Sequence, residues 1–441
     1  MEKKDKGLGI SAKSFVTAIV VIFGLMILTY LLTFIIPGGS IPFWKWLLSP
    51  ILVLGAEGNV SLIAVLAFLL IIGGVFNNLN QCGLMKYMLD EITDRFGKNR
   101  YRLLFTITLF FMGMGAFIGS FEECVPLVPI VVALAVRLGW DALTGVGMSL
   151  LAIGCGFASG ICNPFTIGVA QELAGLPMFS GIWYRIICFV CIYAVLSAFL
   201  YGYAKKIEKP ISEEVEKKEF IQDLAMGRAL VCFAGTMIAG IAIVLSSMFI
   251  TVLQDYTMII VGVTFLVSGL AATVLSMNEK HIFRTFCQGM ISVLPGVLMI
   301  LMANSIKFTL VEGNILDPIL QGAIAIAQTL PRWTVILFIY LIALIMNFFI
   351  SSGSAKAFLL MPLIVPVAEA FDISAQLCVL AYAFGDGFSN VFYPTNPVLL
   401  ISLGIANIDY PTWAKWSGKF QFINLILTSI LLLIGLVIGY A

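Results

Sequence analysis

Apolar runs long enough to cross a lipid bilayer recur from Phe15 to the C-terminus, and no other feature constrains the fold as tightly. A ~30 Å hydrocarbon core takes about 20 mostly apolar residues to span as helix. Runs of that kind lie at Phe15 to Ile36, Val60 to Leu79, Ile182 to Ala204, Ala229 to Ile250, Met258 to Met277, Met290 to Leu310 and Phe422 to Tyr440. With 61% hydrophobic residues, 11% charged and a mean hydropathy of +1.06, the 441 residues leave no soluble domain of useful size. The first run follows a basic segment (Lys3, Lys4, Lys6, Lys13) but is too long for a signal-peptide core, so it is expected to stay as a span.

Two further crossings are broken. The stretch Ala142 to Leu173 is interrupted at Ser159 to Thr166 around Asn163-Pro164, and Ala375 to Ala406 at Ser389 to Pro397 around Asn396-Pro397. Two more apolar stretches, Leu103 to Leu138 and Val335 to Phe371, carry polar, glycine-containing tips in their middles and read as re-entrant hairpins. The expectation is an all-α polytopic membrane protein with nine crossings, two re-entrant hairpins and two discontinuous helices. The basic clusters Lys3 to Lys13, Arg95 to Arg102, Lys205 to Lys218 and Lys280 to Arg284 all fall on one side of that arrangement. By the positive-inside rule this side is cytoplasmic, as is the N-terminus of a multi-pass protein of the cell (inner) membrane. The first hairpin then opens from the cytoplasm and the second from outside.

One ungapped shift lays the second half on the first, matching Pro129 with Pro362, Gly154 with Gly387, Asn163-Pro164 with Asn396-Pro397 and Trp183 with Trp416. Composition alone nearly produces so few identities; their weight lies in where they fall. The two tips coincide and so do the two breaks, from elements that start on opposite sides, which is the pattern of inverted repeats in secondary transporters. The expected division is 1–204 as the first repeat, 205–228 as a cytoplasmic linker, 229–256 as an unpaired span and 257–441 as the second repeat.

Non-helical backbone at membrane depth survives only where protein buries it or a wet cavity meets it, so the tips and breaks mark the candidate site. The first tip holds Ser120, Glu122 and Glu123. Two adjacent carboxylates suit a cation, a substrate ammonium or a proton, although they can also pair with Lys356 or cap the return helix. The second tip runs Ser351-Ser352-Gly353-Ser354-Ala355-Lys356. Its hydroxyls and helix-start amides suit a carboxylate, against the plainer reading of serine capping. At the breaks, unwound carbonyls with Asn163, Thr166, Asn390, Thr395 and Asn396 offer oxygen ligands to a polar substrate or to Na⁺, against a simple kink. Asp386, flanked by Gly385 and Gly387, is open to three readings: proton relay, ligand of a substrate amine, or half of a buried pair. Asn77, Asn78 and Asn80 end a crossing and are open to lining the cavity, against the plainer reading as loop residues; Trp183 and Trp416 read as interfacial anchors, and the lone His281 as a surface residue.

The nine cysteines are scattered through apolar segments and read as reduced thiols. A net charge of +1 gives no reason to expect nucleic acid. No phosphate loop, HExxH or serine with a histidine partner is present, so neither an enzyme nor an ATP-driven pump is indicated, and no cofactor beyond a coupling Na⁺ or H⁺ is expected. A small-molecule carrier in the lipid bilayer is the leading function class, with an ion channel as the alternative.

At Asp141-Ala142-Leu143-Thr144-Gly145-Val146 through Asn163-Pro164-Phe165, and at Phe384-Gly385-Asp386-Gly387-Phe388-Ser389-Asn390 through Pro394-Thr395, the chain resembles the C4-dicarboxylate anaerobic carrier family. The resemblance is to its YfcC-like branch, within the ion transporter superfamily, and covers nearly the whole chain. It implies inverted repeats, opposed hairpins, discontinuous helices and secondary transport, and by analogy a homodimer. The paired glutamates of related members match Glu122 and Glu123, whereas Lys356 stands where the second tip usually has Gln. Some members of that family carry C4-dicarboxylates, while its YfcC-like ones include carriers similar to arginine/ornithine exchangers. Glu122, Glu123 and Asp386 favour an amino acid by charge; Lys356 favours a dicarboxylate.

Overall fold

The structure is a computed structural model that describes residues 12–56, 60–96, 99–119, 121–177, 179–209, 223–246, 257–277 and 281–441. The described residues are helical, with no strand among them. The first part of the chain contributes α1 (Ala12–Ile35), α2 (Val60–Gln81) and α3 (Leu84–Phe96). The first hairpin follows, with arms α4 (Arg100–Gly113) and α5 (Val128–Arg137), and then the first discontinuous helix, α6 (Ala142–Ser159) and α7 (Val169–Leu173). After α8 (Ile182–Ile207) come α9 (Leu224–Ser246), α10 (Thr257–Ser276), α11 (Ile282–Ser292), α12 (Leu294–Glu312) and α13 (Leu316–Ala327). The second hairpin is α14 (Arg332–Phe349) and α15 (Gly353–Ala370), the second discontinuous helix α16 (Ala375–Asn390) and α17 (Pro397–Ile405), and α18 (Tyr410–Val437) closes the chain.

Six helical runs among the described residues are long and apolar enough to cross a bilayer, and α2 bent by 73° onto α3 makes a seventh. Two of the six, α14 and α15, are the arms of the second hairpin, and each is by itself long and apolar enough to cross. The α2–α3 bend is placed by Gly83, whose φ of +85° lies in the left-handed region that a side chain disfavours.

The discontinuous helices form the centre. Every residue of α16 from Gln376 to Asn390 is buried, as is every residue of α17 from Val398 to Ile405. A helix buried on every side has no solvent face to present and forms part of a core, so the polar residues of α16 must find partners inside the protein. What lets α6 and α16 meet is the absence of side chains: a Cβ on Gly387 would fall 2.2 Å from the Ala158 nitrogen, and one on Gly154 2.6 Å from Val391 Cγ1. The same device brings α4 onto α6, where a Cβ on Gly156 would fall 1.8 Å from the Met112 carbonyl oxygen. Small residues at such crossings are the usual solution where lipid supplies no hydrophobic drive between helices.

The packing is reciprocal. In the second hairpin α15 rests on the return arm of the first broken helix, Pro164–Gly168 and α7. In the first hairpin α5 and the turn Glu122–Leu127 rest on α17, the return arm of the second broken helix. Around this centre, α2 packs with α10 and α11, α9 with α10, and α1 with α12.

Several expectations are corrected. The run expected at Met290 to Leu310 begins eight residues earlier, at Ile282, and is interrupted at Val293 because Pro295, in the first turn of α12, has no N–H to continue the ladder. The charged α3 and the short α13 were absent from the list of apolar runs, the first because it carries Lys86, Asp90 and Glu91, the second because its twelve residues fall short of a span. Asn78 lies inside α2 rather than in a loop and is fully buried. Trp416 is 9% exposed, packed against Phe199, Tyr203 and Trp413 and against Gly147, so it is a core residue, whereas Trp183 is 51% exposed. The linker is helical at both ends: Lys205 and Lys206 finish α8 and Arg228 lies in α9, while residues 210–222 lie outside the described part. Cys188 and Cys191, spaced as a CxxC pair, sit one turn apart on α8 as free thiols. His281 is exposed at the start of α11, as expected.

The glycine contacts predict a clear contrast. Gly156→Val should cost at least about 1–3 kcal/mol through overpacking and reduce the monodisperse fraction on size-exclusion chromatography in detergent. Gly24→Val, where nothing lies within 4 Å, should leave the profile unchanged.

Candidate substrate and ion site

Three features converge on the centre of the molecule: the second tip, the first break and the second break. At the second tip, α14 ends at Phe349 and the chain turns through Ile350 to Ser352 before α15 begins. Ser352 is the N-cap, its Oγ accepting from the Ala355 amide at 3.4 Å. Gly353 and Ser354 are the first two residues of α15, where amides have no intrahelical acceptor. Gly353 is required by its neighbours: a Cβ there would fall 2.5 Å from Thr166 Cγ2 and 2.7 Å from Asp386 Oδ2. The first break and α16 therefore face the same glycine of the second tip. The Gly353 carbonyl in turn accepts from the Tyr382 hydroxyl.

Lys356 and Asp386 are both 0% exposed and pair directly, Nζ to Oδ1 at 2.5 Å. Lys356 also donates to Asn347 Oδ1 and to the Ile350 carbonyl at 3.4 Å. Three oxygens thus meet the three N–H groups of one ammonium. Of the readings open for Asp386, the structure shows the buried pair. Among the described residues the partners of Lys356 are Asp386, Asn347 and Ile350; the Glu122 and Glu123 carboxylates, also considered for it, lie outside them. Asn347 organises the rest, its Nδ2 facing the Asp386 carbonyl at 3.0 Å, Ser389 Oγ at 2.6 Å and Asn390 Oδ1 at 3.0 Å.

The second break is satisfied largely from α18. The Trp413 indole donates to the Val391 carbonyl at 2.8 Å, Tyr410 to Phe392 at 3.1 Å and Gln421 to Phe388 at 3.0 Å. Asn396 caps α17, its Oδ1 accepting from the Val398 and Leu399 amides at 2.9 and 3.3 Å and its Nδ2 reaching Asn390 Oδ1 at 3.0 Å. Its side-chain oxygen is therefore committed to the helix start, and of the oxygens expected to hold an ion here Thr395 Oγ1 is the one left buried with no hydrogen-bond partner among the described residues.

At the first break, Gly160 (φ +42°) ends α6, and Asn163 Oδ1 accepts from the Thr166 amide at 3.2 Å. Gly119 of the first tip lies against this asparagine, since a Cβ there would fall 2.1 Å from Asn163 Oδ1. The exposed carbonyl of Ile161 is taken by Arg185, which also donates to the carbonyls of Phe179 and Ser180 and to the Tyr440 hydroxyl. Thr166 Oγ1 and Asp386 Oδ2, like Thr395 Oγ1, are buried oxygens without a partner among the described residues. Ser120 lies outside the described residues, and so do the side chains of Glu122 and Glu123, whose backbone forms the first turn of the segment Glu122–Leu127. No group of three or more His, Cys, Asp or Glu suited to a metal ion occurs among the described residues. Wide, π-type turns occur at Met114–Ile118, Gly147–Leu151 and Pro164–Gly168, all beside the first tip and break, where such irregularities commonly mark functional backbone.

Two central residues escaped the sequence reading. Arg185 stands four residues into an apolar span, and an ionisable residue there was the available signal. Asn347 is a lone amide in α14, three residues before the tip, and nothing in the sequence couples it to Asp386.

The family model for DcuC, the C4-dicarboxylate anaerobic carriers, matches residues 48–437. The chain belongs to the C4-dicarboxylate anaerobic carrier family. It is a multi-pass membrane transporter and not an enzyme. It is 28% identical over 400 residues to the Escherichia coli (strain K12) protein named "Putative basic amino acid antiporter YfcC", covering 86% of this chain and 78% of that one. A Haemophilus influenzae protein described as uncharacterized is 26% identical over 397 residues, 86% of this chain and 76% of that one. The crystal structure of the Alcanivorax borkumensis YdaH transporter is 16% identical with a TM-score of 0.45, covering 96% of this chain and 98% of that one.

Removing one partner of a buried ion pair leaves a bare charge in an apolar interior. Lys356→Gln and Asp386→Asn should each cost about 3–5 kcal/mol on that ground, and the double variant clearly less than either single. Thermal unfolding in detergent reads this; a double variant no more stable than the weaker single would refute the coupling.

Proposed function

We propose that this carrier moves amino acids, basic ones by preference, and exchanges them by alternating access. The observation that carries the reading is the Lys356–Asp386 pair, which neutralises the one cation of the second tip. What remains there is the start of α15, with Ser352, Gly353 and Ser354 presenting hydroxyls and amides to one carboxylate. A dicarboxylate needs a second positive anchor, and Lys356 already spends its three N–H groups within the protein. Glu122 and Glu123, at the opposite tip, would face the amino end of the substrate and repel a dianion. The relative named as a basic amino acid antiporter agrees.

In the same reading the substrate lies between tips and breaks, with Asn163, Asn390 and Asn396 shaping its walls and Thr166 and Thr395 offering oxygens to the substrate or to a coupling Na⁺ or H⁺. Residues 1–204 and 257–441 are inverted repeats, joined through 205–228 and the unpaired 229–256. Two observations support this: the reciprocal packing of hairpins on broken helices, and the N-caps Asp141 and Ser374, which open α6 and α16 and fall at the same shift as Asn163 and Asn396. The N-terminus is cytoplasmic, the membrane is the cell membrane, and the assembly is a homodimer. A second reading, a C4-dicarboxylate carrier, is favoured by the family description and by a lysine in the first turn of α15.

Uptake of labelled arginine and of labelled succinate into proteoliposomes, empty or preloaded with amino acid, separates the two. Arginine uptake that requires internal amino acid is expected, with Glu123→Gln lowering it by tenfold or more, the loss of about 1.4 kcal/mol of substrate binding. Succinate uptake alone would replace the first reading with the second.

A further inference from the structure

We propose that the ammonium of Lys356 is a built-in substitute for a coupling cation, so that the second tip works without Na⁺. This deepens the carrier reading and rests on it. The argument starts from what surrounds Nζ. Among the described residues its three partners are a carboxylate oxygen of Asp386, an amide oxygen of Asn347 and the backbone carbonyl of Ile350. All are hard oxygen donors and together carry a single negative charge, the ligand set that suits a monovalent metal ion as well as an ammonium.

The origin of each ligand points the same way. Ile350 is the C-cap of α14, so its carbonyl is freed by the tip and carries the negative end of that helix. Asp386 comes from α16, about one turn before its end at Asn390, and Asn347 from the last turn of α14. The cation therefore ties the tip of the second hairpin to the second discontinuous helix. In a carrier that junction must be held while the substrate moves, and a freely exchanging ion would hold it only when bound. A lysine on the first turn of α15 holds it always. Lysine suits the task because its ammonium is compact, with three donors that rotate to meet three acceptors.

The consequence is that shortening this side chain should uncover a site for Na⁺. In Lys356→Ala the three oxygens remain, a net negative charge is left buried, and an ion small enough to take the ammonium's place relieves it. The test uses the full-length protein purified in detergent without any organic substrate, so its outcome is independent of which solute is carried. Thermal unfolding is followed as NaCl replaces choline chloride at constant ionic strength, and bound ²²Na⁺ is counted. The expected result is a saturable rise of several degrees in the unfolding temperature of Lys356→Ala, and one more Na⁺ per chain than in the wild type. Neither change should occur in Lys356→Ala/Asp386→Asn, which lacks the charge.

A folded Lys356→Ala indifferent to Na⁺, or a double variant that responds as strongly, would overturn the proposal. If Lys356→Ala is recovered from membranes only when Na⁺ is present, that selective recovery is the same positive result. Recovery from neither buffer, while the double variant folds, would count against it, because the site would then not accept Na⁺ in place of the ammonium.

Discussion

Everything at the centre of this protein follows from one constraint: in surroundings that offer no water, each backbone N–H and C=O freed by a broken helix needs a partner inside the molecule. The two breaks meet it by different routes. At the second, the carbonyls of Phe388, Val391 and Phe392 receive side chains of α18, from Gln421, Trp413 and Tyr410. At the first, Ile161 receives a guanidinium from α8. These donors lie on α8 and α18, each directly following its broken helix in the chain. Irregular backbone is thus kept in place by regular helices.

The same constraint explains the charges. Lys356, Asp386 and Arg185 are fully buried in an apolar interior, where an unpaired charge is expensive. Arg185 is spread over neutral oxygens of a loop and of Tyr440, and so acts as a clamp. Lys356 and Asp386 cancel each other, leaving the second tip electrically neutral while its helix start still presents amides. The lysine, the more conspicuous residue in the sequence, is thus part of a neutral buried pair.

Glycine sets the geometry within which these groups meet. Gly154, Gly156 and Gly387 bring α4, α6 and α16 to backbone contact, and Gly353 lets the second tip touch both Thr166 and Asp386. A methyl group at any of them would separate elements whose polar atoms have to lie within hydrogen-bonding reach.

The sequence by itself determined the class of fold and the places where it is interrupted. Span length is fixed by bilayer thickness, and the Asn-Pro pairs and glycine tips mark where a helix cannot run on, so the hairpins and both breaks were legible within a few residues. It also marked Asn163, Ser352, Lys356, Asp386 and Asn396 as polar atoms in the wrong medium. What it did not contain is who meets whom. Lys356 stood in the sequence as a candidate partner for Glu122 or Glu123, and nothing there tied it to Asp386. Asn396 read as an ion ligand although its oxygen caps α17, and Trp416 read as a surface anchor although it is packed in the core. Those assignments depend on how hairpin arms and broken helices pack on each other, a long-range matter set by glycine contacts between segments far apart in the chain. Periodicity and composition are local, and only the tertiary structure brings residues 347, 356 and 386 to one ammonium.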